Sequence, residues 1–379
     1  MPQSIHLPAY ADLAESLAPW RLPFDLPRAS AQEAFAAAGV SHGAALEGVL
    51  LDYPWDRLEE TVTTSDEVFR YACERLGLLP GEEAMLRSTA TPDDESLEAT
   101  WGEEELDDSV RQFLDRSGLS YDDLIELLDT TFVGKFDPHL LLHAKSPCNL
   151  DDQEILGLTP VVRESIQRFC RLRAHLGTSI HETDLLFSAM GLQPAVDTLF
   201  AVTARQLCLL ATAVDVREAF NAPWDEIAAL WADLDAGAVH GRRRLYDRLF
   251  ADIETQLVGP IGSLEAVIAE RLAADRDELR GLVEAHCTLL TISPDFLDVT
   301  LTEENRNTTL SAIHRLWWLK THLAVSVEEF AAIDALFRTT DPTAHLFSPS
   351  NADRILQAQL LVQQSRTIGI PLLELMALV

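Results

Sequence analysis

Ligand-type side chains crowd one short stretch of this sequence: Asp137-Pro138-His139, His143 and Cys148. Imidazole nitrogens and thiolates are the usual ligands of zinc. His139 and His143 stand four residues apart, a spacing that puts both on one face of a helix. Zinc hydrolases with paired histidines carry a glutamate directly after the first, as general base. Here Leu140 follows His139. His139 and His143 are therefore the metal candidates, and a hydrolase is the activity they would imply. The expectation is nevertheless polar side chains of a helix or loop, with no metal and no cofactor.

His181-Glu182 also joins an imidazole to a carboxylate. Glu182 stands three residues after Ser179, where a carboxylate closes a helix start instead of acting as a base. No G-x-S-x-G, phosphate-binding loop or G-x-G-x-x-G occurs, so no catalytic residue is assigned and the chain is not expected to be an enzyme. Arg242-Arg243-Arg244, with Arg248 one turn on, forms the basic cluster. It is expected to be a solvated helix start, its functional reading being a pair with the acidic face of a neighbouring subunit. Trp317-Trp318 lies between Leu316 and Leu319. A helix apolar on adjacent faces is usually buried between neighbours, so core is expected ahead of an exposed binding patch.

The elements that hold these residues are helices. Leu279, Leu282, Val283, His286, Cys287 and Leu290 follow Asp277 at helical spacing, as Leu124, Leu127, Leu128 and Phe132 follow Ser120. The helix starts share one scheme, a cap residue with an acceptor three positions on: Ser120 with Asp123, Ser179 with Glu182, Thr203 with Gln206, Asp275 with Glu278, and Ser326 with Glu329. In such a box the cap oxygen takes the N3 amide and the N3 side chain takes the cap amide. Gly77-Leu78-Leu79-Pro80 and Gly369-Ile370-Pro371 are looser relatives. Copies recur at intervals of about 24 to 72 residues, too irregular for a solenoid of fixed period. The expected fold is all-α, an irregular stack of helical hairpins. Leu51 to Thr64 is the most strand-like stretch, interrupted by Pro54. Residues 1–28 read as an extended segment in which Pro8, Pro19, Pro23 and Pro27 alternate with Tyr10, Trp20 and Phe24. Residues 29–158 form a first helical lobe with an acidic loop near 91–108, and 159–379 a second. The second stops on Leu378-Val379 without a Gly or Asn cap, which predicts that the native chain continues.

The 379 residues hold 29 Lys and Arg against 61 Asp and Glu, a net charge of −32, with 47% hydrophobic residues. This is the composition of a folded protein with a strongly negative surface, which disfavours nucleic acid and anionic lipid. No run reaches the length of a membrane span, so no membrane insertion by this segment is expected. No basic region followed by an apolar run opens the chain, so no signal peptide is expected. The five cysteines form no C-x-x-C pair and are expected to be reduced and mostly buried.

Several of these stretches, in order, resemble the A subunit of the bacterial Tc (toxin complex) insecticidal toxins, a family related to Salmonella virulence plasmid A-type proteins. They are Leu7-Pro8-Ala9-Tyr10-Ala11-Asp12-Leu13; Leu22-Pro23-Phe24-Asp25-Leu26-Pro27; Tyr121 to Leu128 followed by Phe132-Val133; and Cys148-Asn149-Leu150-Asp151-Asp152. The strongest is Ile166-Gln167-Arg168-Phe169-Cys170-Arg171-Leu172, running into Leu176-Gly177-Thr178-Ser179. Asp341-Pro342 with Phe347-Ser348-Pro349 closes the series. The family usually has an aromatic where Thr178 stands, and often Asn-Pro where this chain has Gly134-Lys135.

The resemblance implies a non-catalytic part of an α-helical outer shell around the translocation channel of a large homopentamer. That particle binds target-cell receptors, opens its shell on a pH change and injects a toxic enzyme carried by partner B and C subunits, which dock on regions absent here. It also implies synthesis in the bacterial cytoplasm followed by release as part of an extracellular complex. Acidic groups facing one another across subunit seams would repel as they ionise, so opening is expected to depend on pH and salt. The alternative, without the resemblance, is a stand-alone acidic helical adaptor that binds partner helices in its grooves.

Overall fold

The computed structural model describes residues 8–9, 26–40, 66–92, 101, 108–136, 140–144, 149–193, 198–236, 238–239, 242–286, 299–340 and 346–377. The fold is all-α. Two compact units divide the chain: Met1–Arg57 with Thr61–Ala211, and Leu58–Glu60 with Thr212–Val379.

The first unit holds α1 (Leu26–Ala37), α2 (Asp66–Leu76), α3 (Pro80–Arg87), α4 (Val110–Ser117), α5 (Tyr121–Leu128), α6 (Thr131–Phe136), α7 (Pro160–Leu176) and α8 (Ile180–Ala189). Strands β1 (Leu141–Ala144) and β2 (Gln153–Leu156) pair antiparallel, with Leu141 opposite Leu156 and His143 opposite Glu154. The central element is α7. Thr159 caps it, accepting from the Val162 amide at 3.3 Å. Pro160 opens it, where a missing N–H costs nothing, and Gly177 closes it at φ 64°. From Glu164 to Leu172 every residue is buried. Its Phe169 lies 4.7 Å from Phe132 and 5.4 Å from Phe187, and Phe132 meets Phe200 edge-on at 4.9 Å. Four phenyl rings drawn from 132 to 200 form one core, so residues 159–211 belong with the first unit. The compact division falls inside α9 (Ala204–Phe220), whereas the helical lobes expected from the sequence meet at 158/159.

The second unit continues from the end of α9 through α10 (Trp224–Ala228), α11 (Leu245–Phe250), α12 (Ile261–Arg271), α13 (Arg276–His286), α14 (Arg306–Leu323), α15 (Val327–Thr340), α16 (Ala352–Ile368) and α17 (Leu372–Met376). Two minimal antiparallel pairs join β3 (Ala238–Val239) to β4 (Arg242–Arg243) and β5 (Gly259–Pro260) to β6 (Thr300–Leu301). Here α13 packs on α12, α14 and α15, and α16 on α14 and α17. The core there includes Leu279, Leu282, Val283, Ile313, Leu316 and Ile333, all at 4% exposure or less, with Phe250 and Phe330 fully buried.

The extended reading of residues 1–28 falls mostly outside the described residues. Where it is described, at residues 8–9 and from Leu26 onward, the backbone is helical. The strand-like run 51–64 lies wholly outside them, as does most of the acidic stretch 91–108. Trp101, within that stretch, is fully buried and 5.7 Å from Phe113.

Candidate functional site

The helix starts carry most of the residues singled out in the sequence. The Asp123 amide donates to Ser120 Oγ at 3.1 Å and the Ser120 amide to Asp123 Oδ2 at 3.0 Å. Ser179 and Glu182 exchange the same two bonds at 3.2 and 2.8 Å, Thr203 and Gln206 at 3.2 and 2.9 Å, and Ser326 and Glu329 at 3.1 and 2.8 Å. Asp275 accepts from the Asp277 and Glu278 amides, each at 3.0 Å, but the Glu278 carboxylate turns away to Lys320. Thr302 and Asn305 exchange the same two bonds, at 3.3 and 2.7 Å.

Of the two metal candidates the structure places His143, and not on a helix. His143 is an exposed residue of strand β1, cross-strand from Glu154; His139 and Cys148 lie outside the described residues. A strand needs a period of two, and Leu140 buried beside exposed Leu141 and His143 fits it. Four-residue spacing on such a strand no longer implies a shared helix face. Among the described residues no group of three His, Cys, Asp or Glu is placed to hold a metal ion. The arginine run also divides. Arg242 and Arg243 form β4 instead of a helix start, while Arg244 binds Asp235 at 2.8 Å and Arg248 binds Asp225 at 2.7 Å. Trp318 is 5% exposed, its indole donating to Glu226 at 2.7 Å; Trp317 donates to the Leu272 carbonyl at 3.0 Å.

The densest chemistry in the first unit is an ionic cluster inside its core. Glu82, fully buried at the start of α3, accepts from the Leu79 amide at 3.2 Å and from Arg171 Nη1 at 2.8 Å; His175 Nε2 lies at 3.1 Å. Burial alone would raise its pKa. The bonds from His175 and Arg171 outweigh that and hold the carboxyl below the usual range. One turn back, Glu164 pairs with Arg168 at 3.1 Å. Arg168 also donates to the carbonyls of Ser88 at 2.7 Å and Phe200 at 2.9 Å, while Ser165 Oγ receives the Phe200 amide. Burial lowers the Arg168 pKa, and Glu164 opposes that shift. Thus α7 uses its charges to anchor the end of α3 and the 200–202 segment. The signal for this lay in two i, i+4 pairs, Glu164/Arg168 and Arg171/His175, and in Glu82 at the N3 position after Leu79.

A buried carboxylate on a histidine invites comparison with a hydrolytic dyad, and Cys73 stands near in sequence. Burial, with Glu83 and Glu74, pushes the Cys73 thiol up to about 12, and His175 bonds to Glu82 and not to it. Such a thiol is a poor nucleophile.

In the second unit Glu265 takes Arg276 at 3.0 Å and Arg280 on both oxygens; the Arg280 bond, helped by Arg276, outweighs the upward push of burial and holds its carboxyl below the usual range. The pair edges a cavity of about 10 Å³ lined by Ile261, Ile268, Leu279, Val283 and Ile313, space for a single water. His314 is 7% exposed, and its Nδ1 has no hydrogen-bond partner. Burial, with Arg315 and His322, pushes its pKa down to about 4. No helix among the described residues is long and apolar enough to cross a membrane. No protein-family model matches the chain, and no characterised protein matches its sequence.

Proposed function

We propose that this chain is a non-catalytic wall of an oligomeric assembly, the helical shell of a Tc-like toxin translocation subunit. The observation that carries the reading is the fate of the strongest resembling stretch, residues 166–179. It is the buried helix α7 with its glycine end and the following capping box. Its Arg168, Arg171 and His175 are spent on Glu164, Glu82 and backbone carbonyls within the same unit. Groups so committed support architecture; they are not presented to a substrate. The family assignment itself rests on the sequence stretches. On this reading the partners are further copies of the chain, with receptor, B and C subunits engaged elsewhere.

The test is electron microscopy of the complete gene product. A five-fold particle with a central channel enclosed by helical walls supports the reading. A monodisperse monomer that captures isolated partner helices would favour the adaptor and reject the shell.

A further inference from the structure

Acids make up 61 of the 379 residues, yet residues 354–373 contain none, and carry Arg354 and Arg366. Three comparable acid-free runs, 165–181, 198–214 and 305–327, correspond to α7, α9 and α14, which supply much of the core. Helix α16 has their composition but not their surroundings. Its inner face, with Ala352, Ile355, Ala358 and Val362, is buried. Its outer face leaves Leu356, Leu360 and Leu361 half-buried and Gln363, Gln364 and Thr367 exposed. At the corner where it meets α17, Ile368 is 60% exposed and Leu373 44%. An apolar and amide face without acids, on a molecule of net charge −32, has the makeup of an interface core, from which charged residues are depleted.

We infer that this outer face of α16, with its corner to α17, docks on the acidic surface of a second copy of the chain. Charge selects that occupant. From Arg354 to Leu373 the face carries two positive charges and no negative one, with the exposed Glu374 of α17 at its rim, while the remainder of the surface is strongly acidic. Two copies of the face set against each other would oppose arginine to arginine, so the contact is heterologous, head to tail. Such contacts generate rings when the rotation closes. The inference rests on the homo-oligomer part of the proposed function and names the surface involved.

Sedimentation velocity over a range of protein concentrations, on wild type, Ile368→Glu and Ile368→Lys, tests it. Wild type is expected to self-associate. Ile368→Glu should weaken association about tenfold, and Ile368→Lys should preserve it, because only the first sets an acid against an acidic partner. Equal loss in both variants, or a wild type that stays monomeric throughout, overturns the inference. So does a large fall in melting temperature for Ile368→Glu, since the site would then be covered within the chain. A five-fold particle whose seams exclude α16 rejects this surface alone. Association through α16 without a ring rejects the toxin reading alone.

Discussion

The two units end their helices differently. The first uses glycine: Gly77, Gly118, Gly177 and Gly191 sit at φ 80°, 68°, 64° and 68°. The second, apart from Gly369, uses Asn221, Ala273 and Ala324 at φ 49°, 50° and 51°. An L residue in this region is strained by about 1 to 2 kcal/mol, which glycine avoids. The strained ends are held by side chains from other helices. Arg366 donates to the carbonyls of Leu323 and Ala324, Trp317 to that of Leu272, and Gln359 to that of Ala219. At its left-handed helix ends the first unit places glycine, which carries no strain; at Asn221, Ala273 and Ala324 the second combines a strained residue with tertiary bonds. Its helix ends therefore depend on its packing, and that dependence can be broken experimentally.

The largest expected effect lies in the buried ions. In Glu82→Ala, Arg171 is left charged at 1% side-chain exposure. Removing one member of a buried pair costs about 3 to 5 kcal/mol, so the urea midpoint of the first unit should fall steeply. Glu265→Ala leaves Arg276 and Arg280 at 52% and 35% side-chain exposure, where water can solvate them, and its shift should be clearly smaller. Equal shifts would show that burial does not separate the two clusters.

Acid should separate the units next. His314 in the folded second unit titrates at about 4 instead of 6.5. Between those values the unfolded chain takes a proton that the folded one refuses. Stability intact at pH 7 is thus lost progressively from about pH 6.5 down to about pH 4, by about 3 kcal/mol. His314→Phe should flatten that slope. In the first unit, Glu82 is held below its ordinary 4.5; its contribution is present above that value and lost only as pH falls through the lower folded one. Asp184 acts oppositely. Burial raises its pKa despite the Thr131 and Phe132 amides it accepts, so protonating it favours the folded state. Hydrogen exchange across pH should show the second unit loosening first; the reverse order would refute these signs.

These features also mark what the sequence could reveal. Ser120, Ser179, Thr203 and Ser326 were legible because a capping box is local: both partners lie within four residues. So was the all-α fold, through apolar spacing after each cap. Asp184 was not legible as the cap of α6, because donors and acceptor stand 52 and 53 residues apart. Nor were the ends at Ala273 and Ala324, since alanine is the best helix former and gives no stop signal. His143 was placed on a helix by a spacing that its strand makes irrelevant. The phenyl cluster joining 132 to 200, which ties residues 159–211 to the first compact unit, is a contact between distant residues that no local pattern displays.

Reversing the end residues tests the comparison directly. Gly177→Ala meets no atom within 4 Å, so its cost should be conformational alone, about 1 kcal/mol. Ala273→Gly and Ala324→Gly relieve the same strain and should each raise stability by about 1 kcal/mol in thermal unfolding. If the tertiary bonds to 272, 323 and 324 dictate those ends, Ala324→Gly combined with Arg366→Met should lose less than Arg366→Met alone. Glycine holds the turn without help.

The smallest effects concern the caps. Ser120→Ala and Ser179→Ala should each cost about 1 kcal/mol, lowering the melting midpoint without loss of fold; no shift in either would refute the cap roles. Glu182 and Glu278 occupy the same position in two boxes, yet one binds its own cap amide and the other binds Lys320. Glu182→Ala should therefore fray the start of α8, seen as faster amide exchange at residues 179–182 with α14 unaffected. Glu278→Ala should leave the start of α13 capped by Asp275 and instead free Lys320, whose ammonium lies 5.0 Å from the Trp317 ring. Its effect should fall with added salt, as an ion pair with one side chain 36% exposed requires. A part-buried local box is screened less by salt than an ion pair at the surface, so the two variants should diverge as ionic strength rises.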